Sequence, residues 1–396
     1  MIDLAAQYLG WHYALLLLLS LSLSALLVIW SRWTPRLNGR GQNLTSVQSM
    51  HTRLTPRVGG IAIFAALGLS MVFAPVAVSE SYTKFILATA LIFFVGLLED
   101  LGFDVSPRKR LLAAAGASLL VIVLLGVWLP RTHIPALDAL MPYWFVGIPL
   151  TVLITAGIAN GFNLIDGVNG LASMTAIAAA IAMSLIAHQA GYTDMVHLAL
   201  MLVASVFGFF LVNYPFGRIF LGDAGAYTLG FVLSWFAIAI LLNAPEASAW
   251  ALLLVLFWPV ADTLLAIYRR SRRKADAMAP DRLHVHQMVM RALEICILGR
   301  RNRRIANPLT TLVLAPFVMA PPLVGIIFWN QTVIAFTAVI AFGILFFASY
   351  AAAPLIIRRF RRDVAPKVRE SLNARATPLP QPDDHSGAGG SPTGSV

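Results

Sequence analysis

Five short polar clusters in an otherwise apolar chain carry the residues that could do chemistry. The first is His51-Thr-Arg53-Leu-Thr-Pro-Arg57-Val-Gly59-Gly60, and the second is Glu99-Asp100 followed by Ser106-Pro-Arg108-Lys109-Arg110. The third is Asn160-Gly-Phe-Asn163-Leu-Ile-Asp166-Gly-Val-Asn169-Gly170. The fourth is Phe220-Leu-Gly222-Asp223-Ala-Gly225, and the fifth is Asp281-Arg282-Leu-His284-Val-His286-Gln287. Carboxylates from separate clusters, with few cationic partners beside them in sequence, form a hard oxygen donor set. Magnesium favours one or two carboxylates completed by waters and substrate phosphate oxygens. Arginine and histidine near such a site would neutralise a substrate carrying several phosphates. The glycines beside Asp166 and Asp223 let backbone come close to a ligand.

Each cluster alone also has a plainer role. Glu99-Asp100 suits a solvated helix end, and Asp223 after Gly222 suits a turn or a helix N-cap. His284 and His286, two residues apart, do not share a helix face, so a two-histidine metal site on a helix is disfavoured and solvated loop histidines are the alternative. Asp262, in Trp-Pro-Val-Ala-Asp-Thr, lies inside an apolar run. A carboxylate there is a functional candidate by default, with Thr263 or nearby arginines as structural partners in the other case.

The elements that must position these clusters follow from composition. Of 396 residues, 59% are hydrophobic and 12% charged, and the mean hydropathy is +0.78. A soluble chain of this length would carry about twice that charge fraction. Apolar runs of bilayer-crossing length recur, so the expected fold is all-α, a polytopic membrane protein of about 11 transmembrane helices. The expected spans are 11–30, 60–78, 84–98, 111–129, 143–159, 171–190, 195–212, 226–242, 250–268, 309–328 and 333–357. Residues 1–370 read as one membrane-embedded domain, and 371–396, rich in Pro, Gly, Ser and Asp, as a disordered tail. The first run lacks a basic segment before it and reads as a retained span. The single cysteine, Cys296, excludes an intrachain disulfide framework and a cysteine-built metal site.

Eleven spans place the polar clusters and 27 of the 29 Lys and Arg residues on one side, leaving only Lys84 and Arg131 on the other. The positive-inside rule makes that side cytoplasmic, with the N-terminus outside. The net charge of +11 is thereby explained without nucleic acid, and it offers basic surface to anionic lipid or phosphorylated substrates.

The five ordered motifs resemble the polyprenyl-phosphate N-acetylhexosamine-1-phosphate transferases, the superfamily that also contains the phospho-MurNAc-pentapeptide translocase. The matching residues are Thr55-Pro-Arg57-Val-Gly-Gly60, Gly96-Leu-Leu-Glu99-Asp100, Asn160-x-x-Asn163-x-x-Asp166-Gly-x-x-Gly170, Phe220-Leu-Gly-Asp223-Ala-Gly225 and Asp281-Arg-x-His284-x-His286. They span roughly residues 50 to 295. The resemblance implies ten or eleven spans, cytoplasmic active-site loops, a UDP-sugar donor, undecaprenyl phosphate as acceptor and Mg2+, with Mn2+ as a substitute. It implies a bacterial inner-membrane location and allows a homodimer. Relatives often carry two aspartates where this chain has Glu99-Asp100, a second aspartate at Asn169 and a third histidine at Gln287. The histidine pattern is closer to the GlcNAc-1-phosphate branch than to the muramyl-pentapeptide branch.

The implied reaction moves a sugar 1-phosphate from a UDP-N-acetylhexosamine to the lipid phosphate, releasing UMP, as the first membrane step of a cell-surface glycan. Asp223 is expected to bind Mg2+, with Asp166 nearby. Asp100, helped by Glu99, is expected to orient or deprotonate the lipid phosphate. Arg282, His284 and His286 would grip the donor diphosphate, and Asn160 and Asn163 the nucleotide or a metal-bound water, with Arg57 and His51 also on the substrate. A covalent aspartyl intermediate is the less favoured variant. The rival from another class is a lipid-linked-sugar flippase, which predicts polar residues along a path through the spans. A CDP-alcohol phosphotransferase is disfavoured because Leu171-Ala172-Ser173 does not supply the Ala-Arg that its motif requires.

Overall fold

The computed structural model describes residues 10–34, 37, 55–273, 284–299 and 302–360. His51, Asp281, Arg282 and the 371–396 tail lie outside the described residues. The regular structure within them is helical. The long helices are α1 (Trp11–Trp30), α2 (Gly59–Ser70), α3 (Ser79–Asp100), α4 (Pro107–Leu125), α5 (Trp144–Ile165), α6 (Leu171–Gln189), α7 (Thr193–Asn213) and α8 (Gly222–Asn243). They continue with α9 (Ala249–Val255), α10 (Phe257–Arg273), α11 (Val285–Ala292), α12 (Arg303–Ile327) and α13 (Thr332–Phe360). Among the described residues eight helices have the length and composition to cross a membrane, and nine if α9 and α10 count as one broken span. The other two expected segments are helical but different. Gly59–Phe73 is shorter, and α4 opens on Arg108, Lys109 and Arg110 behind a Ser106 N-cap whose hydroxyl accepts from the Lys109 amide. The protein is a multi-pass helical membrane protein.

Three boundaries differ from expectation, and each moves a functional residue. Helix α5 runs six residues past the expected Ala159, so Asn160 and Asn163 lie on its last turns and not in a loop. Asp223 sits in the first turn of α8 and not in a loop turn. The ninth span is not continuous: α9 and α10 meet at an 82° bend. Pro259 in the first turn of α10 accounts for the position of the break, because proline has no N–H to give to a preceding turn and suits a helix start.

Helix α8 is buried over nearly its whole length, packed among α2, α3, α5 and α6. Its two ends are held by opposite charges. At the start, the Asp100 carboxylate accepts the amides of Asp223 (2.8 Å) and Ala224 (2.9 Å). At the far end, the Arg131 guanidinium donates to the carbonyls of Leu241 (2.6 Å), Ala244 (2.8 Å) and Ala247 (2.9 Å). Anion at the N-terminus and cation at the C-terminus both complement the helix dipole. On the periphery, α1 and α13 expose large apolar side chains such as Leu18, Leu26, Ile344 and Leu345, as lipid-facing helices do.

Topology is testable at the loops. In a Cys296→Ser background, a cysteine at exposed Ser106 should react with a membrane-impermeant thiol reagent only from the cytoplasmic side, and one at exposed Ala77 only from outside. Labelling of both from the same side would overturn the span assignment.

Candidate active site

The site is assembled around the start of α8. The Pro56–Gly60 strip pairs backbone to backbone with Phe220 and Leu221: the Phe220 amide donates to the Pro56 carbonyl (2.8 Å), Gly59 to Phe220 (2.9 Å) and Gly60 to Leu221 (2.9 Å). Gly222 then turns with φ +73°, a left-handed conformation suited to glycine. A β-carbon there would run into the Arg57 carbonyl oxygen and the Asp100 carboxylate. Gly96 and Gly60 likewise pack directly on the backbone of Ala224 and Gly225. Three motif segments therefore converge because glycine permits backbone contact.

Asp223, 4% exposed, is the centre of this cluster. Arg57 lies 3.5 Å from its Oδ1, Arg110 pairs with its Oδ2, and the Asn163 side-chain amide donates to Oδ1 (2.9 Å). Tyr227, one turn further along α8, donates to Asn160 Oδ1 (3.0 Å), and its ring lies 5.9 Å from the Arg110 guanidinium carbon. The predicted Arg57, Asn160, Asn163 and Asp223 are thus brought together. Arg110 and Tyr227 join them without having been singled out as site residues. Tyr227 had one usable signal, its place four residues after Asp223 on what proves to be one helix face.

Asp100 and Glu99 both bond to backbone amides. Asp100 is 2% exposed, and each of its oxygens accepts an amide of α8, so in this arrangement it positions Asp223. Glu99 accepts the Val105 amide through Oε2 (2.6 Å) and shapes the turn that leads to Arg108–Arg110.

Asp166 follows the end of α5. Burial pushes its carboxyl up to about 7, opposed only in part by Arg57, and its charge also acts on Asp100. The next residue, Gly167, has no room for a β-carbon because the His286 ring occupies that space. Asn169 is a structural hub: its amide donates to Asn307 Oδ1 (2.8 Å), its side chain to the Pro215 carbonyl (3.0 Å), and its carbonyl accepts from Thr311 (2.6 Å). Asn213 takes the Gly170 amide (2.7 Å) and donates to the Ile219 carbonyl (2.6 Å). These bonds tie the Asp166 turn to the α7–α8 loop and to α12.

His286 is 1% exposed, and burial lowers its pKa to about 4 despite the nearby Asp262. It packs as a neutral wedge against the Asp166-Gly167 turn. His284, 4% exposed, bonds through Nδ1 to Asp262 Oδ2 (2.6 Å). The two rings stack 5.8 Å apart. The histidine segment is therefore part of the site's wall, joined to it at Gly167.

Among the described residues, no three His, Cys, Asp or Glu side chains are already gathered as a metal cage. Magnesium needs less, since waters and substrate phosphates usually fill most of its six positions. Asp166, whose carboxyl burial pushes up while the Arg57 charge opposes the rise, and Asp223, 3.5 Å from Arg57, are the hard oxygen donors at this end of the site. These residues fit a cation that arrives with a phosphorylated ligand.

Residues 82–241 match the model of glycosyl transferase family 4. The chain is 29% identical over 246 residues to a probable undecaprenyl-phosphate N-acetylglucosaminyl 1-phosphate transferase of Bacillus subtilis (strain 168), covering 62% of this chain and 68% of the relative. It is 28% identical over 331 residues to the undecaprenyl-phosphate alpha-N-acetylglucosaminyl 1-phosphate transferase of Yersinia pestis, covering 79% and 85%. The Escherichia coli (strain K12) protein of the same name is 26% identical over 257 residues, covering 61% and 67%.

Proposed function

We propose, from the match of residues 82–241 to the model of glycosyl transferase family 4 and from the relatives above, that this protein transfers a sugar 1-phosphate from a UDP-N-acetylhexosamine to undecaprenyl phosphate. The donor is UDP-N-acetylglucosamine foremost, and the products are the undecaprenyl-pyrophosphate-linked sugar and UMP. The reaction begins a cell-surface glycan at the cytoplasmic side of the inner membrane. The observation that carries this reading is the pairing of Asp223 with both Arg57 and Arg110, with Asp166 within the electrostatic reach of Arg57. Such a cluster suits several phosphates and a cation together.

An oxygen of the lipid phosphate attacks the donor phosphorus that bears the sugar, and the bond to UMP breaks. Phosphoryl transfer chiefly needs positioning and charge neutralisation. Arg57 and Arg110 supply guanidinium donors to non-bridging phosphate oxygens. Asn160 and Asn163 hold the nucleotide side, and Tyr227 keeps Asn160 and Arg110 in register. Asp100 fixes Asp223 through the two α8 amides. Mg2+, taken by Asp223 and Asp166, would neutralise charge on the transferred phosphoryl and on departing UMP. His284, with Arg282 from the adjoining segment, binds the donor diphosphate.

The direct test is purified protein in lipid nanodiscs with undecaprenyl phosphate, Mg2+ and a panel of UDP-sugars, scored for UMP and lipid product. UMP and a lipid-linked sugar from UDP-N-acetylglucosamine are expected. No product from any UDP-sugar would refute the proposal.

A pH effect follows from Asp166. Below about pH 7 its carboxyl is mostly protonated and must lose that proton to take a cation. The half-saturating Mg2+ concentration should therefore rise about tenfold from pH 8 to pH 6. Asp166→Asn should flatten this part of the profile while leaving any titration of the lipid phosphate itself. Equal slopes in both proteins would remove Asp166 from the cation's ligands.

A further inference from the structure

Asp262 is a carboxylate from inside an apolar run, and the mechanism above does not use it. Neither partner that the sequence offers at close range accounts for it. The Thr263 hydroxyl donates to the Pro259 carbonyl (2.7 Å). Asp262 instead reaches 22 residues along the chain to the histidine segment, where its Oδ2 meets His284 Nδ1 (2.6 Å) and its Oδ1 accepts the Val285 amide (3.3 Å). The side chain is 1% exposed.

We propose that Asp262 is a positioning residue for His284: with one carboxylate it sets both the imidazole's tautomer and the start of α11, leaving Nε2 as the ring nitrogen available to the donor phosphate. This rests on the transferase reading for the identity of the ligand, but not for the geometry. A carboxylate only accepts, so the bonded Nδ1 carries a proton whether the ring is neutral or charged. The second oxygen holds the backbone at the point where α11 begins, since His284 is its N-cap residue. Ring and loop are thus fixed by the same group and cannot move separately.

The placement of Asp262 follows from the broken span. The 82° bend starts a new helix at Phe257, and the Pro259–Thr263 face of α10 packs on Gly161, where a β-carbon would come within 2.9 Å of the Pro259 carbonyl oxygen and the Thr263 hydroxyl. Gly161 lies between Asn160 and Asn163. One face of α10 therefore rests on the asparagine turn of α5, while Asp262 holds His284. A straight α9–α10 span would not start a helix at this point. The bend thus serves to bring a carboxylate behind the histidine, much as metal-bound and catalytic histidines are oriented by a carboxylate on their other nitrogen.

The experiment is a double-mutant cycle with an independent spectroscopic readout. Asp262→Asn preserves size but can accept from or donate to Nδ1, so the tautomer is no longer fixed. It should lower transfer kcat/KM by roughly 10- to 100-fold, the usual scale for a group that orients a functional histidine. In a His284→Ala background the same change should cost less than about 3-fold, because its effect passes through the missing ring. Additive losses in the two backgrounds, or wild-type rates for Asp262→Asn, would overturn the proposal. Nitrogen-15 NMR of histidine-labelled protein, with His284 assigned by its loss in His284→Ala, should show a protonated Nδ1 in wild type and a changed tautomer balance in Asp262→Asn. An unchanged His284 signal would also overturn it. The NMR arm needs no turnover. A tautomer change in a protein that transfers no sugar phosphate would therefore reject the functional reading and keep the positioning role. If Asp262→Asn fails to fold, Asp262→Glu carries the same measurement: it keeps the acceptor and should retain the protonated Nδ1, and loss of that signal in the folded protein would count against the proposal.

Discussion

Asp223→Asn is expected to lower kcat/KM for sugar-phosphate transfer by on the order of 10³-fold, the scale seen when a charge-handling group is lost from phosphoryl transfer. The substitution is nearly isosteric and leaves an oxygen to accept from Asn163, so the helix start should survive. It removes the one negative charge between Arg57 and Arg110, and a cation would then meet two guanidinium groups with less to offset them. Mg2+ binding to the enzyme–donor complex should weaken, and added Mg2+ should restore part of the rate. Asp100→Asn should behave differently. Its amide would turn an N–H group toward one of two backbone N–H groups of α8, leaving a buried donor unmet at about 1–3 kcal/mol. Thermal stability and Mg2+ dependence should therefore both suffer. Mg2+ titrations, calorimetry with the donor and thermal melts of the two variants separate these cases. Wild-type Mg2+ dependence in Asp223→Asn would remove that residue from the metal site.

Gly222→Ala should be nearly as severe, with transfer reduced at least about 100-fold. A side chain in the left-handed region costs roughly 1–2 kcal/mol, and here the new methyl would also strike the Arg57 carbonyl oxygen and the Asp100 carboxylate. Relief requires the motif strip or α3 to move away from α8, which takes Arg57 and Asp100 out of place together. Gly157→Ala on α5 is the control, because nothing lies within 4 Å of its added carbon and alanine favours a helix. Comparable losses in both variants would mean that the close approach at Gly222 has no special weight.

The apolar runs made the helices legible, and α1 has the expected ends, Trp11 and Trp30. The break between α9 and α10 was marked only by Pro259, and a hydropathy run through it reads as one span. Asn160 and Asn163 read as loop residues because asparagine disfavours helix interiors. Their helical state depends on partners 67 and 60 residues away, Tyr227 and Asp223. The same limit hid Arg110, which reads as surface charge at a helix start until Asp223 is placed beside it. Motif order identified the carboxylates but not their division of labour. Asp100 and Asp223 are separated by one helix N-terminus, and only coordinates show that the first carboxylate is consumed in holding the second. Asn169, absent as an acid, proves to be wired through three hydrogen bonds to two other segments, a role that needs donors and acceptors more than charge.

The clamping of α8 at both ends has a mechanical consequence. A carrier that moves a lipid-linked sugar across the bilayer must let its central elements rock or slide so that one side opens as the other closes. Here the central rod is bolted to α3 by a carboxylate at one membrane face and to the loop around Arg131 by a guanidinium at the other. Shifting it by even one turn would break five charge-assisted hydrogen bonds at once. The bundle is built as a stationary anvil, which on the proposed reading would take its two substrates at one face and leave passage across the membrane to some other machine.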